Sequence, residues 1–426
     1  MNRKFIFLTL FSLAIFLIAL AAKNGTIAVL AIPVLIYLFS GILLSPIDID
    51  LSASRQIEKM EENNSGCFTQ NLILTNQGNS SICMQINDAV FPHMKVQAGE
   101  LQQSLLLSAP GTFTLNYQFS LQRGCHTWKN THIIVSDPLQ VYRQHLILPA
   151  LATITVKPHV TKLQHIPLHP RKTLHLTGNI PARIAGSGTD IWGVRQYQAG
   201  DQLRHINWQK MARNPGKLYT NEFEQEEITD IGLILDARAL GNHSEIESAL
   251  LEKNIQAVAS LAGSFLREGN RVGLLIFGSK LVHLFPGYGK NQLNKILFNL
   301  ALVEQRPYIS LNQLQYLPFR LFPARAQIIL VSAYNRNDFT GYKQLRAYGY
   351  PLMLLSPDPF TFAQKDLDPL QQIAYQAAQT DRQIQLEKLT RLGVKVINWP
   401  NEQPLNSILQ SSLRQIGLQQ QRGGQQ

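Results

Sequence analysis

The sequence is poor in cysteine, and that shortage limits the kinds of site it can hold. The chain of 426 residues has three cysteines, Cys67, Cys83 and Cys125, and no two of them are spaced as Cys-x-x-Cys. The odd number and the missing spacing argue against a zinc site. All three lie in one predicted β region, where a free buried cysteine acts as a small apolar residue. A reduced compartment fits best, and a single Cys67–Cys83 bridge stays open.

Charged residues are also scarce, at 16% of the chain, yet the formal net charge is +11. The excess is uneven, because residues 157–217 contain ten Lys or Arg against two acids, Asp190 and Asp201. A basic stretch of this kind can meet phosphate, an acidic lipid surface or an acidic partner protein. It can equally be a solvated face that lies close to an anionic membrane.

The N-terminal region contains two long apolar runs, residues 5–22 and 26–44. Each has about the ~20 residues that a membrane-spanning helix needs. Arg3 and Lys4 precede the first run, so the positive-inside tendency predicts a cytoplasmic N-terminus and a chain that returns to the cytoplasm. We therefore expect a two-helix membrane anchor with the soluble domains on the cytoplasmic side.

Two other topologies stay open at this point. Residues 19–21, Ala-Leu-Ala, could be a signal-peptidase site after a basic and an apolar region, which would leave one span and the same location for the rest. The soluble part would lie outside the cell if only one of two uncleaved runs spanned the membrane.

The patterning after residue 45 predicts three further regions and a tail. Short alternating runs with turn residues between them indicate an antiparallel, immunoglobulin-like β-sandwich of about seven strands. A proline-rich stretch follows, and then apolar runs alternate with helical patterns, which predicts a doubly wound, mostly parallel sheet. The predicted organisation is two transmembrane helices at 1–45, a sandwich at 46–157, a linker and signature segment at 158–228, an α/β domain at 229–418 and a disordered tail at 419–426.

Charges, glycines and aromatics alternate closely in the signature segment. Asp201 is predicted to cap a short helix on which Arg204 and Trp208 share a face. On one interpretation this is a docking element in which Trp208 is buried and Asp201, Arg204 and Arg213 pair with acids such as Glu222 or Glu224. On the other it is a recognition surface for a partner. A catalytic role has the least support, because Ser187 is the only nucleophile near Asp201 and His205.

These residues resemble the bacterial family called domain of unknown function 58, which is related to von Willebrand factor type A domains. Upstream, Arg123-Gly124, Asp137-Pro138-Leu139 and Lys157-Pro158 resemble further family motifs, whereas Cys125-His126 and Gln140 depart from them. The resemblance covers about residues 1–355 and implies a von Willebrand factor A-like α/β fold for the C-terminal domain. It also implies that the expected two-helix anchor lies in the bacterial cytoplasmic (inner) membrane. The signature positions that match, and that we predict to contact a partner, are Arg195, Tyr197, Gly200, Asp201, Arg204, Asn207, Trp208, Arg213, Glu222 and Glu224.

The resemblance also implies a test for a metal. Type A domains often hold Mg²⁺ on an Asp-x-Ser-x-Ser run together with later Thr and Asp residues. Here the run begins at Asp236, Arg238 and Leu240 replace the serines, and Ala333 stands where an Asp is expected. We predict a degenerate site without metal or other cofactor, in which Arg238 pairs with Asp236.

The leading functional hypothesis is a non-catalytic membrane-anchored scaffold or adaptor whose type A-like domain binds protein partners. The resemblance implies a MoxR-type AAA+ ATPase as the partner, in assembly or maturation of envelope or other complexes. One alternative is an enzyme such as a cell-envelope hydrolase, for which we find no clustered nucleophile and base. Another is nucleic-acid binding through residues 157–217, which lack interleaved aromatics. We expect lipid and protein partners, no nucleic acid and no enzymatic activity.

Overall fold

The computed structural model describes residues 3–43, 49–60, 66–139, 143–166, 180–214, 216–227, 229–239, 245–278, 281–304, 322–324, 326–362 and 368–412. Within these ranges the side chains of residues 3–5, 42, 180–192, 223–227 and 362 are not part of the description. The chain divides into two compact units, Met1–Lys157 and Pro158–Gln426. The predicted disordered tail lies outside the described residues.

The first unit begins with three helices, which are α1 (Arg3–Ala21), α2 (Gly25–Val29) and α3 (Ile32–Leu43). The second apolar run is therefore split into helices of 5 and 12 residues. Pro33 explains the break, because it has no amide hydrogen and its ring clashes with a preceding helical turn. Both pieces are shorter than the ~20 residues that a spanning helix needs.

The predicted two-helix membrane anchor is wrong, and with it the predicted location. Within the described part of the chain, no helix has both the length and the sustained apolarity that crossing a bilayer requires.

The rest of the first unit is two antiparallel sheets of four strands each, ordered β1-β2-β6-β4 and β5-β3-β7-β8. They share one apolar core that includes Leu72, Ile86, Phe119 and Trp128. Alternate residues of β2 point into this core, as its burial pattern shows. Cys67, Cys83 and Cys125 are all free thiols. The strands are β1 (Leu51–Lys59), β2 (Cys67–Asn76), β3 (Ile82–Asn87), β4 (Lys95–Gly99), β5 (Gln102–Leu107), β6 (Gly111–Ser120), β7 (Gly124–Ser136) and β8 (Arg143–Val156).

A buried ion pair ties the two sheets together. Arg55 of β1 donates to both carboxylate oxygens of Asp88 at 2.8 and 2.6 Å, and both side chains are fully buried. Gln70 and the hydroxyl of Tyr117 also donate to Asp88. Burial and the neighbouring Asp88 carboxylate raise the pKa of Tyr117 well above its usual value.

The second unit holds a two-stranded antiparallel ribbon and a six-stranded mixed sheet ordered β13-β12-β11-β14-β15-β16. Its strands are β9 (Ile180–Gln196), β10 (Tyr219–Glu227), β11 (Asp230–Asp236), β12 (Arg271–Phe277), β13 (Val282–Gly287), β14 (Gln327–Val331), β15 (Leu352–Pro357) and β16 (Lys395–Trp399). Its helices are α4 (Trp208–Arg213), α5 (Glu245–Arg267), α6 (Gly289–Ala301), α7 (Phe339–Ala347) and α8 (Pro369–Arg391), and residues 405–412 are also helical.

Strand β11 lies in the middle of the six-stranded sheet, and every one of its residues is buried. It runs parallel to β12 and β14, so the carboxyl ends of these strands meet at one edge of the sheet. Helix α5 packs its apolar face, including Ile255, Val258 and Phe265, against this sheet. At the far edge β13 runs antiparallel to β12, because the short connection at residues 278–281 allows a hairpin and no crossover.

The predicted fold class is wrong for the chain as a whole. In the described residues ten strands belong to antiparallel sheets and six to one mixed sheet, and the predicted transmembrane hairpin is absent there. The apolar composition of residues 26–44 suggested a spanning helix, but Pro33 divides that run into helices that are too short to span a membrane.

Candidate functional site

The signature segment is an excursion from the β9–β10 ribbon. Residues 197–218 leave the ribbon after β9 and return to it at the start of β10. The amide of Tyr197 donates to the carbonyl of Leu218 at 2.9 Å, and the amide of Asn207 donates to the carbonyl of Tyr219 at 2.8 Å. Between these contacts lie a 3₁₀ turn, Leu203–His205, and helix α4. The backbone of the excursion is thus fixed at both ends and in the middle.

Arg195 of β9 is the central polar residue of the segment. Its two Nη atoms donate to the two carboxylate oxygens of Asp201 at 2.8 and 2.7 Å. Its Nε lies 3.0 Å from Oε1 of Glu222 on β10. The hydrogen bond from Arg195, together with one from the amide of Gln198, lowers the pKa of Asp201 below its usual range. One guanidinium therefore joins the turn to both strands of the ribbon.

Asp201 does not have the helix-capping role that the sequence predicted. The turn at Gly200 has a φ of +112°, which favours glycine, and it directs the Asp201 carboxylate back toward Arg195. Asn207 caps α4 instead, since its Oδ1 accepts from the amide of Lys210 at 2.8 Å. Its Nδ2 donates to Asn221 of β10 at 2.7 Å, which fixes the start of the helix on the ribbon.

Trp208 faces solvent and is 60% exposed, so it is not the buried docking residue of one interpretation. Leu203, on the 3₁₀ turn, is 70% exposed, and Leu218 is also exposed. Arg204 and Arg213 are exposed as well, and Nε of Arg204 donates to Oε1 of Gln202.

The expected acidic partners are not where that interpretation put them. Glu222 forms its ion pair with Arg195, whereas the docking interpretation had paired it with Arg204 or Arg213. The side chain of Glu224 lies outside the described residues.

A second polar cluster lies at the carboxyl end of β11. Arg238 donates from Nε and Nη2 to the two carboxylate oxygens of Asp236 at 2.9 and 2.7 Å. It also donates from Nη1 and Nη2 to the two oxygens of Asp338 at 2.8 and 2.6 Å. Burial alone lowers the pKa of Arg238, but the hydrogen bonds to Asp236 and Asp338 outweigh it and raise that pKa above its usual value. One guanidinium therefore serves two buried carboxylates.

Every carboxylate oxygen of this cluster accepts a hydrogen bond. The hydroxyl of Ser332 donates to Asp236 at 2.6 Å, and the amide of Tyr334 donates to that hydroxyl at 3.0 Å. Asp338 additionally accepts from the amide of Asn335 at 3.3 Å. The face of Phe277 lies 5.0 Å from the guanidinium carbon of Arg238. The hydrogen bonds of both carboxylates are thus satisfied within the cluster, and Arg238 supplies its positive charge.

Sequence reasoning located Asp236 and Arg238 but missed Asp338. It looked for the second carboxylate at Ser332-Ala333, directly after β14, whereas the acid comes from the 3₁₀ turn Arg336–Asp338. The capping-box spacing of Asn335 and Asp338 could have indicated that turn. Leu240, the other degenerate metal position, lies outside the described residues.

A second buried arginine covers the neighbouring strand ends. Arg382 of α8 donates from Nη1 to the carbonyl of Ala333 at 2.7 Å. Its Nη2 donates to Oγ of Ser356 and to Oδ1 of Asn398, each at 3.0 Å. Burial lowers the pKa of Arg382, and the nearby carboxylate of Asp358 opposes that effect. The carboxyl ends of β14, β15 and β16 are therefore tied to one side chain.

The described residues contain no group of three or more His, Cys, Asp or Glu side chains placed to hold a metal ion. Chemically, the sheet edge offers internal ion pairs, whereas residues 203–218 offer exposed apolar and basic side chains to a partner.

Comparison with solved structures gives two matches to a GH20 exo-β-N-acetylglucosaminidase from Vibrio harveyi. The complex with N-acetylglucosamine has a TM-score of 0.21 and 9% identity, and the match covers 82% of this chain and 75% of that one. An inactive mutant of the same enzyme has a TM-score of 0.19 at the same identity and coverage. Both scores are too low to support an argument about fold or function.

No curated protein matches the chain. One family model does, and its match to residues 193–342 covers the whole excursion, the Asp236–Arg238 pair and Asp338. Residues 193–342 of the chain match the model of the family described as Protein of unknown function DUF58.

Proposed function

We propose that this chain is a non-catalytic scaffold or adaptor that binds a protein partner through residues 203–218. We call this stretch the tryptophan surface, and we define it by five exposed residues: Leu203, Arg204, Trp208, Arg213 and Leu218. The observation that carries the proposal is the 60% exposure of Trp208 on a segment whose backbone is fixed.

The residue types support this assignment. Tryptophan and arginine are enriched among the side chains that dominate protein–protein binding energy. Isolated surface apolar residues are common, but here Leu203 and Leu218 accompany Trp208 in one short excursion. A partner that covers them would remove apolar area from water together with the charged groups beside it.

The energy available is large enough to matter. If a tryptophan has roughly 200 Å² to bury, covering the 60% of Trp208 that is exposed removes about 120 Å² from water. At ~25 cal/mol per Å² this contributes about 3 kcal/mol to binding. Pre-ordering by the Arg195 ion pairs reduces the entropy lost when the partner binds.

The sheet-edge cluster supports a non-catalytic role. All four carboxylate oxygens of Asp236 and Asp338 already accept hydrogen bonds, most of them from Arg238. A carboxylate held in this way is a poor general base, because its lone pairs are engaged by a permanent cation.

For the partner we propose a MoxR-type AAA+ ATPase, in assembly or maturation of envelope or other complexes. The support is the resemblance of the signature residues to a family whose members are commonly associated with such ATPases, which is an associational argument.

The test is co-expression of the full chain with a MoxR-type ATPase from the same organism, followed by gentle affinity purification. We expect the ATPase to co-purify with the wild type and to be lost with Trp208→Ala. Tyr348→Ala is the matched control, since Tyr348 is 62% exposed on the same unit, and it should retain the ATPase. Absence of the ATPase from the wild-type preparation rules out this partner, and undiminished recovery with Trp208→Ala rules out this surface.

A further inference from the structure

The charge of the tryptophan surface has one sign. Residues 202–221 contain four Lys or Arg and no Asp or Glu, and the four are Arg204, Lys210, Arg213 and Lys217. The acids that flank the stretch, Asp201 and Glu222, are both held by Arg195. The two carboxylates that flank the stretch in the sequence are therefore already engaged by Arg195.

The basic side chains keep their charge available. Arg204, Arg213 and Lys217 are exposed, and none of them forms an ion pair with a carboxylate in the part of the chain that the structure describes. Arg204 bonds to the neutral side chain of Gln202. Lys210 lies with its ammonium 4.9 Å from the ring centre of Tyr219, a contact that leaves its charge unneutralised.

We infer that the partner covers the tryptophan surface with an acidic stretch of protein that carries an apolar side chain among its carboxylates. This inference rests on the proposed adaptor function and specifies the chemistry of the partner. Arginine guanidinium groups match carboxylates in a bidentate geometry, while Trp208, Leu203 and Leu218 receive the apolar side chain. Complementary charge also speeds the encounter and rejects basic competitors.

Two features favour protein over nucleic acid as the occupant. Binding of single strands relies on several aromatic side chains that stack successive bases. Among Phe, Tyr and Trp residues, Trp208 is the one that residues 203–218 contain, and the ring of Tyr219 beside them is covered by the ammonium of Lys210. The exposed Leu203 and Leu218 offer aliphatic contacts, which suit an amino-acid side chain better than a base.

The experiment is fluorescence anisotropy of the full-length chain with a short fluorescein-labelled peptide of glutamates around a central leucine. Two further peptides carry glutamine in place of glutamate, or serine in place of leucine. A single-stranded DNA oligonucleotide with the same number of negative charges tests the nucleic-acid alternative. Each titration is run at low and at high salt.

We expect the glutamate–leucine peptide to bind best and its binding to weaken with salt. The double variant Arg204→Gln with Arg213→Gln should lower affinity by about tenfold, since each lost contact is a charge pair at the interface. Trp208→Ala should lower it by about thirtyfold. The control, Lys290→Gln with Lys295→Gln, removes the same charge from exposed positions on α6 and should change neither affinity nor salt dependence.

The outcomes separate this inference from the function on which it rests. Equal binding of the glutamine peptide, no binding of the glutamate peptide, or no effect of the double arginine variant overturns the acidic partner. If the ATPase still co-purified with the wild type and was still lost with Trp208→Ala, the proposed contact surface would remain supported. Tighter binding of the oligonucleotide than of any peptide, lost in the same variants, overturns the inference in favour of nucleic acid.

Discussion

Replacing Arg238 with methionine removes the guanidinium from two buried carboxylates and keeps most of the side-chain length. Removing one partner of a buried ion pair costs about 3–5 kcal/mol, because an uncompensated charge stays in the interior. Arg238 makes four side-chain hydrogen bonds to Asp236 and Asp338, so two carboxylates lose their partner at once. We therefore expect the loss in free energy of unfolding to lie near the upper end, at about 4–5 kcal/mol.

The assay is urea unfolding of the full chain followed by circular dichroism, with amide hydrogen exchange to localise the loss. Exchange should rise in β11 and β14, whose carboxyl ends carry the cluster. Arg238→Lys should lie between methionine and wild type, because an ammonium keeps the charge but cannot form the paired contacts. Arg336→Met is the control, since Arg336 is exposed on the same 3₁₀ turn as Asp338 and should change stability by less than ~0.5 kcal/mol.

The reasoning would be refuted if Arg238→Met unfolded within ~0.5 kcal/mol of the wild type. The carboxylates would then be neutralised by other means, and Arg238 would not be the group that stabilises this edge of the sheet. Destabilisation confined to the first unit would contradict it as well.

Three further predictions concern backbone packing, the first unit and pH. Gly232→Ala should destabilise the chain by about 1–3 kcal/mol, because its new Cβ would lie 2.8 Å from the ring of Phe322, and a lowered urea midpoint would report it. Asp88→Ala should cost about 3–5 kcal/mol, since it leaves the buried Arg55 guanidinium without a carboxylate, and thermal melting by circular dichroism would report the loss. The pKa of Asp201 is lowered in the folded chain, so its stabilising effect is present above its unfolded pKa and is lost as the pH falls below about 4. Hydrogen exchange of residues 197–218 should therefore accelerate in that acidic range.

Each of these has a control and a contradicting result. In Gly193→Ala the new Cβ meets only an ordinary contact of 3.6 Å, so this control should be as stable as the wild type. If Gly232→Ala were as stable as Gly193→Ala, the packing argument would be wrong. Asp50→Ala, at an exposed position of the first unit, should barely change the melting temperature. If Asp88→Ala changed it no more than Asp50→Ala does, the ion pair would not stabilise the fold as argued. Asp201→Asn should lack the acid transition, and a transition that persists in that variant would assign it to another group.

Local sequence patterns predicted those helices and strands whose formation depends on neighbouring residues. The apolar run that ends at Asp236 indicates a buried strand, and β11 ends at that residue. The amphipathic spacing after Glu245 indicates a long helix, and α5 extends from Glu245 to Arg267. In both cases burial of an uninterrupted apolar face decides the element, and that face can be read from composition.

The parts that depend on distant residues could not be read in this way. Asp338 reaches Arg238 across 100 positions of sequence, and no spacing rule links the two. Asp201 was predicted as a cap because it precedes a helical pattern, yet Arg195 on the preceding strand offered a stronger, charged partner. Trp208 was a candidate for burial on residue type alone, whereas its exposure depends on how the excursion lies on the ribbon.

The central claim is that Trp208 anchors a protein partner, and titration calorimetry with the purified MoxR-type ATPase tests it most directly. Loss of about 3 kcal/mol of apolar contact corresponds to roughly a hundredfold increase in Kd. We predict that increase for Trp208→Ala, with Tyr348→Ala unchanged from the wild type. Equal Kd values for Trp208→Ala and the wild type would contradict the claim.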